Sequence, residues 1–311
     1  MRPVTALALA CIFPLVAAAC GLDDGTVTIV GGSGPNEPMD SGSKVYEGGE
    51  PVHPDGGPSE DGGTAIDGGG PIDSGPTPDQ PIVWATTATD LYSLEVTTGK
   101  LAKKATLSGC ATSIVDLAVD PAGQLLAILV NGGERDLADV ATTGACSNLR
   151  TLDSKFTTAL AFQGSGVAAK LFALRSSGRG LHLVERADGT DDEVQSNLFD
   201  HNFDGDFACS ADACYTVGAK YCTTMPPAGS SCIGKITWSA DGDYAYAELG
   251  AVAVPSVVGV AWHGGNVYLF SGAQPGVSVV NVASLAVAAV TLSGDPAPAS
   301  WVGAGSTSAY P

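Results

Sequence analysis

The run Asp200-His201-Asn202-Phe203-Asp204-Gly205-Asp206 sets carboxylate or amide oxygens at alternate positions, with a glycine at the bend. Hard oxygen donors in that rhythm open a calcium loop. Asp200, Asn202, Asp204 and Asp206 are therefore the candidate calcium ligands, with the Asp206 carbonyl as a further donor, and calcium is the one cofactor that the residues suggest. The bidentate glutamate that closes such a loop is missing: Ala211 stands in its place, with Asp212 one position on. A polar connection built from turn formers is the competing reading.

Cysteine offers the second chemistry. Of 8 cysteines, Cys11 and Cys20 lie in or beside an N-terminal apolar segment, which leaves Cys110, Cys146, Cys209, Cys214, Cys222 and Cys232. An even set in an exported domain reads as disulfides, with fifteen connectivities open to six cysteines. Cys209 and Cys214 flank a hairpin turn that they can bridge, Cys222 and Cys232 bracket a loop containing Pro226-Pro227, and Cys110 then falls to Cys146. A zinc site from Cys209, Cys214, Cys222 and Cys232 is the rival, but it lacks the Cys-x-x-Cys spacing that makes zinc persuasive.

Other catalytic patterns fail on context. There is no Gly-x-Ser-x-Gly elbow. Gly164-Ser165-Gly166 with Ala169 loosely matches a dinucleotide fingerprint, yet Lys170 to Leu174 follows as a strand and not as the helix that such a loop must open. His53, His182, His201 and His263 have no Cys or carboxylate at metal-ligand spacing in the sequence and read as structural or idle. With 14 basic against 33 acidic residues, net charge −19, the chain cannot hold a phosphate backbone by counterion release, which excludes nucleic acid as a partner.

The elements that must position these residues come in three parts. Residues 1–19 read as a signal peptide: Arg2, an apolar run from Val4 to Val16, then Ala17-Ala18-Ala19. Cys20 follows directly and resembles a bacterial lipobox, which implies lipidation of Cys20 and membrane attachment through that lipid. With Gly21 and not Asp next, the outer membrane is the expected address. Ordinary signal-peptidase cleavage after Ala19, releasing a soluble exported protein, is the alternative. Residues 20–80 form a tether. Positions 21–80 hold 16 of the 41 glycines, 8 of the 19 prolines, 12 acidic residues and a single base, Lys44. Such a composition predicts disorder. Its Asp-Gly-Gly units do not keep the strict nine-residue frame of calcium repeats.

Residues 81–311 carry an internal repeat. Thr97-Thr98-Gly99, Thr142-Thr143-Gly144, Ala187-Asp188-Gly189 and Ala240-Asp241-Gly242 are turns at matching points, and Ala283-Ser284-Leu285 is a fifth without the glycine. A second series of apolar runs entering tight turns interleaves with them, at 116–119, 159–162, 206–209 and 259–262. About 45 residues and four strands per repeat is the mark of a β-propeller. Ile82 to Ala85 and Leu91 to Val96 look like second and third strands with no first. Trp301-Val302-Gly303-Ala304-Gly305 looks like a first strand with nothing after it. The expected fold is thus an all-β, five-bladed propeller, closed by pairing of the C-terminal strand with the first blade.

The repeats Leu91-Tyr92-Ser93-Leu94-Glu95-Val96-Thr97-Thr98-Gly99 and Ala141 to Cys146, the run Gly259 to Gly265 and the ending Trp301 to Gly305 resemble a family of uncharacterised bacterial lipoproteins with an acidic linker and a C-terminal propeller. The resemblance implies no reaction. Hydrolytic propellers resembling lactonases hold an axial calcium with acids at the starts of inner strands. The comparable places here are Asp116, Ala159, Asp206, Gly259 and Ser300, and two acids in five are too few. The expectation is a non-catalytic binding or scaffold module presented to a protein or glycan partner. A hydrolase or lyase acting on extracellular polymers is the alternative.

Overall fold

The structure, a computed structural model, describes residues 81–110, 113–218 and 226–307. The signal segment, Cys20, the tether and Cys222 lie outside the described residues.

Each repeat folds as an antiparallel meander. Blade 2 is β4 (Ser113–Val119), β5 (Leu125–Asn131), β6 (Glu134–Val140) and β7 (Cys146–Thr151). Blade 3 is β8 (Thr157–Gln163), β9 (Lys170–Arg175), β10 (Leu181–Val184) and β11 (Asp191–Gln195). Blade 4 is β12 (Gly205–Cys209), β13 (Cys214–Gly218), β14 (Ser231–Trp238) and β15 (Tyr244–Val252). Blade 5 is β16 (Val257–His263), β17 (Asn266–Ser271), β18 (Val277–Asn281) and β19 (Val287–Ala289). The turn series read from the sequence joins the third strand of each blade to its fourth. Gly99, Gly144, Gly189 and Gly242 all have positive φ, and Leu285 takes the same left-handed conformation at φ 56 where the glycine is missing.

Blade 1 combines both ends of the described chain. It contains β1 (Ile82–Thr86), β2 (Asp90–Glu95) and β3 (Lys100–Thr106), with β21 (Gly303–Gly305) antiparallel to β1 as its innermost strand. This is the closure that the terminal half-repeats imply. A further strand was not anticipated: β20 (Ser293–Gly294) runs parallel to the outer edge of β3, so the C-terminal segment flanks blade 1 on both sides. The inner strands β4, β8, β12, β16 and β21 lie against one another in that order, and β21 returns to β4. The ring therefore leaves no innermost edge for another chain to pair with.

Burial follows radius. Inner and second strands are buried on both faces and read as continuous apolar runs, whereas β7, β11 and β19 are largely exposed. Successive residues of β4 serve different interfaces: Leu117 and Val119 pack toward blade 1, Ala118 toward blade 3. Five apolar clusters fill the five blade interfaces. Trp301 clamps the closure between Tyr92 of blade 1 and Phe270 of blade 5, both edge-on, and its Nε1–H donates to the Gly276 carbonyl at 3.0 Å.

Candidate axial site

The inner strands converge on the axis, and three of them carry a register slip just before the residue that faces it. The slips fall between Ile114 and Asp116, Thr157 and Ala159, and Val257 and Gly259. Such bulges re-aim a side chain. The ring that results is Asp116, Ala159, Asp206, Gly259 and Gly303. The last position corrects the expected Ser300 by three residues, because the pairing of Gly303 with Thr86, and not the run before it, sets the register of β21.

Asp116 and Asp206 are both buried, at 1% exposure. Asp116 Oδ2 accepts the Leu160 N–H at 2.7 Å, and the amides of Leu117 and Ala304 also turn toward this carboxyl. Asp206 Oδ1 accepts the Phe207 N–H at 2.7 Å, and Oδ2 accepts the Val260 N–H at 2.5 Å. The two carboxyls act on each other across the axis. Inner strands have no further strand to receive their axial amides, and these two side chains take on that role for all five blades. Asp116 ties blade 2 to blade 3 and to the closing strand, and Asp206 ties blade 4 to blade 5. Burial pushes both carboxyls well above the ordinary Asp range, and the Asp116 charge adds to the rise at Asp206.

Small residues at the other three positions make room. A Cβ on Gly303 would sit 2.7 Å from the Asp116 Cα and 3.0 Å from its Oδ1; one on Gly259 would sit 2.7 Å from the Ala304 nitrogen. Just outside the ring lies a cavity of about 190 Å³ lined by Val115, Thr158, Ser176, Asp204, Val258 and Val302, among others. It is the mouth of the axis.

The four candidate calcium ligands are not brought together. Phe203, buried at 1%, anchors the loop in the core between blades 3 and 4, which leaves Asp200, Asn202 and Asp204 exposed. Asp206 points to the axis, where main-chain amides occupy both its oxygens. Among the described residues no three His, Cys, Asp or Glu side chains are placed to hold a metal ion.

Cys110 pairs with Cys146 and Cys209 with Cys214, as expected, the latter directly across the β12–β13 hairpin. Cys232 is disulfide-bonded as well. These pairings rule out the zinc reading, and they belong to an oxidising, extracytoplasmic setting. The one helical element among the described residues is the short 3-10 turn Gly166–Ala168, and no helix is long and apolar enough to cross a membrane.

One constellation escapes sequence inspection. Arg175, His182 and Asp191 meet on neighbouring strands of blade 3: Asp191 pairs with Arg175, and its Oδ1 lies 3.5 Å from His182 Nδ1. Burial, followed by the Arg175 charge, holds the imidazole below its ordinary value, so it is neutral and structural at physiological pH. Between blades 2 and 3 a groove of about 670 Å³ has Phe162, Leu171 and Val184 as its floor. Arg186 stands at its side, held by Asp120 at 2.8 Å and by Gln124.

Fold and axis together define a five-bladed β-propeller with a carboxylate-plugged centre. No family model and no curated protein matches the chain. Among solved structures it is similar to a chain of a nidogen/laminin complex, with 9% identity over 72% of this chain and 97% of that one and a TM-score of 0.47. It is also similar to an auxiliary nutrient binding protein from Bacteroides ovatus, with 10% identity over 66% of this chain and TM-score 0.45, where it spans about half (53%) of that chain's length. A virginiamycin B lyase from Staphylococcus aureus gives 11% identity over 70% of this chain and 72% of that one, with TM-score 0.36. Likeness at this level says nothing about ligand or reaction.

Proposed function

We propose that this protein is an extracytoplasmic lipoprotein, attached to the outer membrane through Cys20, whose propeller is a binding or scaffold module for a protein or glycan partner. The observation that carries the non-catalytic reading is the engagement of Asp116 and Asp206. The acids that the ring directs to the axis are bound by main-chain amides of neighbouring blades, so they hold strands and are not offered to a substrate. The groove between blades 2 and 3 supports a binding role. An apolar floor flanked by an oriented guanidinium and the exposed Lys170 is a recognition surface, with a volume in the range of ligand pockets. The repeat resemblance and the lipobox-like Cys20 support the anchored, envelope setting.

The test uses the mature chain isolated from its native envelope. Mass spectrometry of the N-terminus should find acyl chains on Cys20, and a Cys20→Ser variant should leave the membrane fraction. Crosslinking in intact cells should enrich one partner reproducibly, while the purified protein leaves envelope polysaccharides unchanged. An unacylated Cys20 would sink the anchor. Depolymerisation that is lost in an Asp116→Asn variant would sink the non-catalytic reading and favour the lyase or hydrolase.

A further inference from the structure

We propose that the propeller axis is a one-proton site: Asp116 and Asp206 hold a single proton between them, and its presence keeps the inner strands closed. The inference is independent of which partner the module binds. Two carboxyls buried together on one axis repel each other when both are ionised, and an ionised carboxylate has no hydrogen to donate to the other. Asp206 has an amide on each oxygen and Asp116 Oδ2 has the Leu160 amide, while Asp116 Oδ1 is buried without a hydrogen-bond partner. That oxygen is the one placed to share a proton with Asp206.

Among the described residues no cationic group acts on the pair. In β4, β8, β12, β16 and β21 the other ionisable side chains are His263, at the far end of β16, and Cys209, which is locked in its disulfide. Asp204 lines the mouth. The rise of both carboxyls through burial agrees with proton retention. The cavity at the mouth begins one residue outside the ring and provides the route to solvent. Release of the proton takes the pair from one negative charge to two and sends one H⁺ to solvent. The two carboxylates then repel across the axis beside Gly303 and Ala304, the strand that closes the ring.

The sign follows from linkage. A carboxyl held protonated in the folded state adds stability that is fully present below its unfolded-state pKa and is lost as pH rises through the folded value. Asp116→Asn mimics the protonated pair: the amide oxygen can still accept from Leu160, and the NH₂ stands where Oδ1 was and donates to Asp206. Thermal unfolding of the full mature chain from mildly acidic to alkaline pH should show the wild-type melting temperature falling by several degrees more than that of D116N. Isotope-edited infrared spectra of the wild type at neutral pH should contain a protonated-carboxyl stretch that disappears at high pH and is absent from D116N. Parallel melting profiles would overturn the proposal. If D116N does not fold, the wild-type spectrum decides alone, and lack of the protonated band overturns it. Calcium chloride that restores the alkaline wild type but not D116N would place a metal, and not a proton, at the axis.

Discussion

At the axis and at the rim of this propeller the same side chain, aspartate, meets opposite surroundings. Asp116 and Asp206 are sealed among apolar strands, see no cation, and are pushed up by burial. At the rim, Asp90 is held below its usual value by a hydrogen bond from Lys103, and Asp188 by the Thr190 amide and hydroxyl. Asp139 lies between the two cases. Burial raises it, but Arg150 and Asn148, each at 2.8 Å, outweigh that and hold it down. The axial acids thus act as strand connectors that are costly to bury and costly to remove. The rim acids are solvated partners of neighbouring side chains and amides. One residue type supplies cohesion at the centre and compatibility with water at the edge, and radius alone separates the two roles.

The comparison can be broken first at the closure. Deleting residues 299–311 removes β21 and Trp301, reopens the inner edge of blade 1 and strips Asp116 of its neighbours Gly303 and Ala304. Cooperative unfolding in calorimetry should be lost altogether; a truncated chain that melts normally would show that the ring does not depend on this strand. Next in size is Asp206→Ala, which leaves the Phe207 and Val260 amides buried without acceptors. At about 1–3 kcal/mol for each orphaned group, the loss in denaturant unfolding should be about 2–6 kcal/mol. A loss near zero would mean that the axial acids are ornamental. Smallest is Arg150→Ala at the rim, expected to cost less than about 1 kcal/mol, because a partly exposed ion pair is worth little.

The same contrast fixes the shape of the pH profile. Lowered rim carboxyls contribute stability above their unfolded value, and that stability is lost as pH falls through the folded ones. Melting temperature should therefore drop below about pH 4, the opposite limb from the alkaline loss expected of the axis. Arg150→Ala should shallow the acid limb alone, which titration of melting temperature with pH would reveal.

The blade count and the closure were legible in the sequence because turn chemistry repeats. Left-handed turns need Gly, and Gly99, Gly144, Gly189 and Gly242 mark them at near-constant spacing, so that even Leu285 was found by its place in the series. Two hairpin cysteines were legible for the same local reason. The axial pair was not. Asp116 and Asp206 stood in view as separate features, one as a ring position and one as a calcium ligand. Their meeting depends on two blades turning toward a common axis across 90 residues of chain (206 − 116). The β20 strand and the Arg175–His182–Asp191 cluster were hidden likewise, being made by pairing between strands and not by spacing along one.

Composition and periodicity alone decided that an acidic, base-poor chain would build a ring of short apolar strands, because apolar runs and turn residues act within a few positions of themselves. The tertiary structure decided what the acids do. Whether a carboxylate binds a cation, an amide or another carboxyl depends on which donors reach it and how much water remains, and both are settled only when distant strands share one centre.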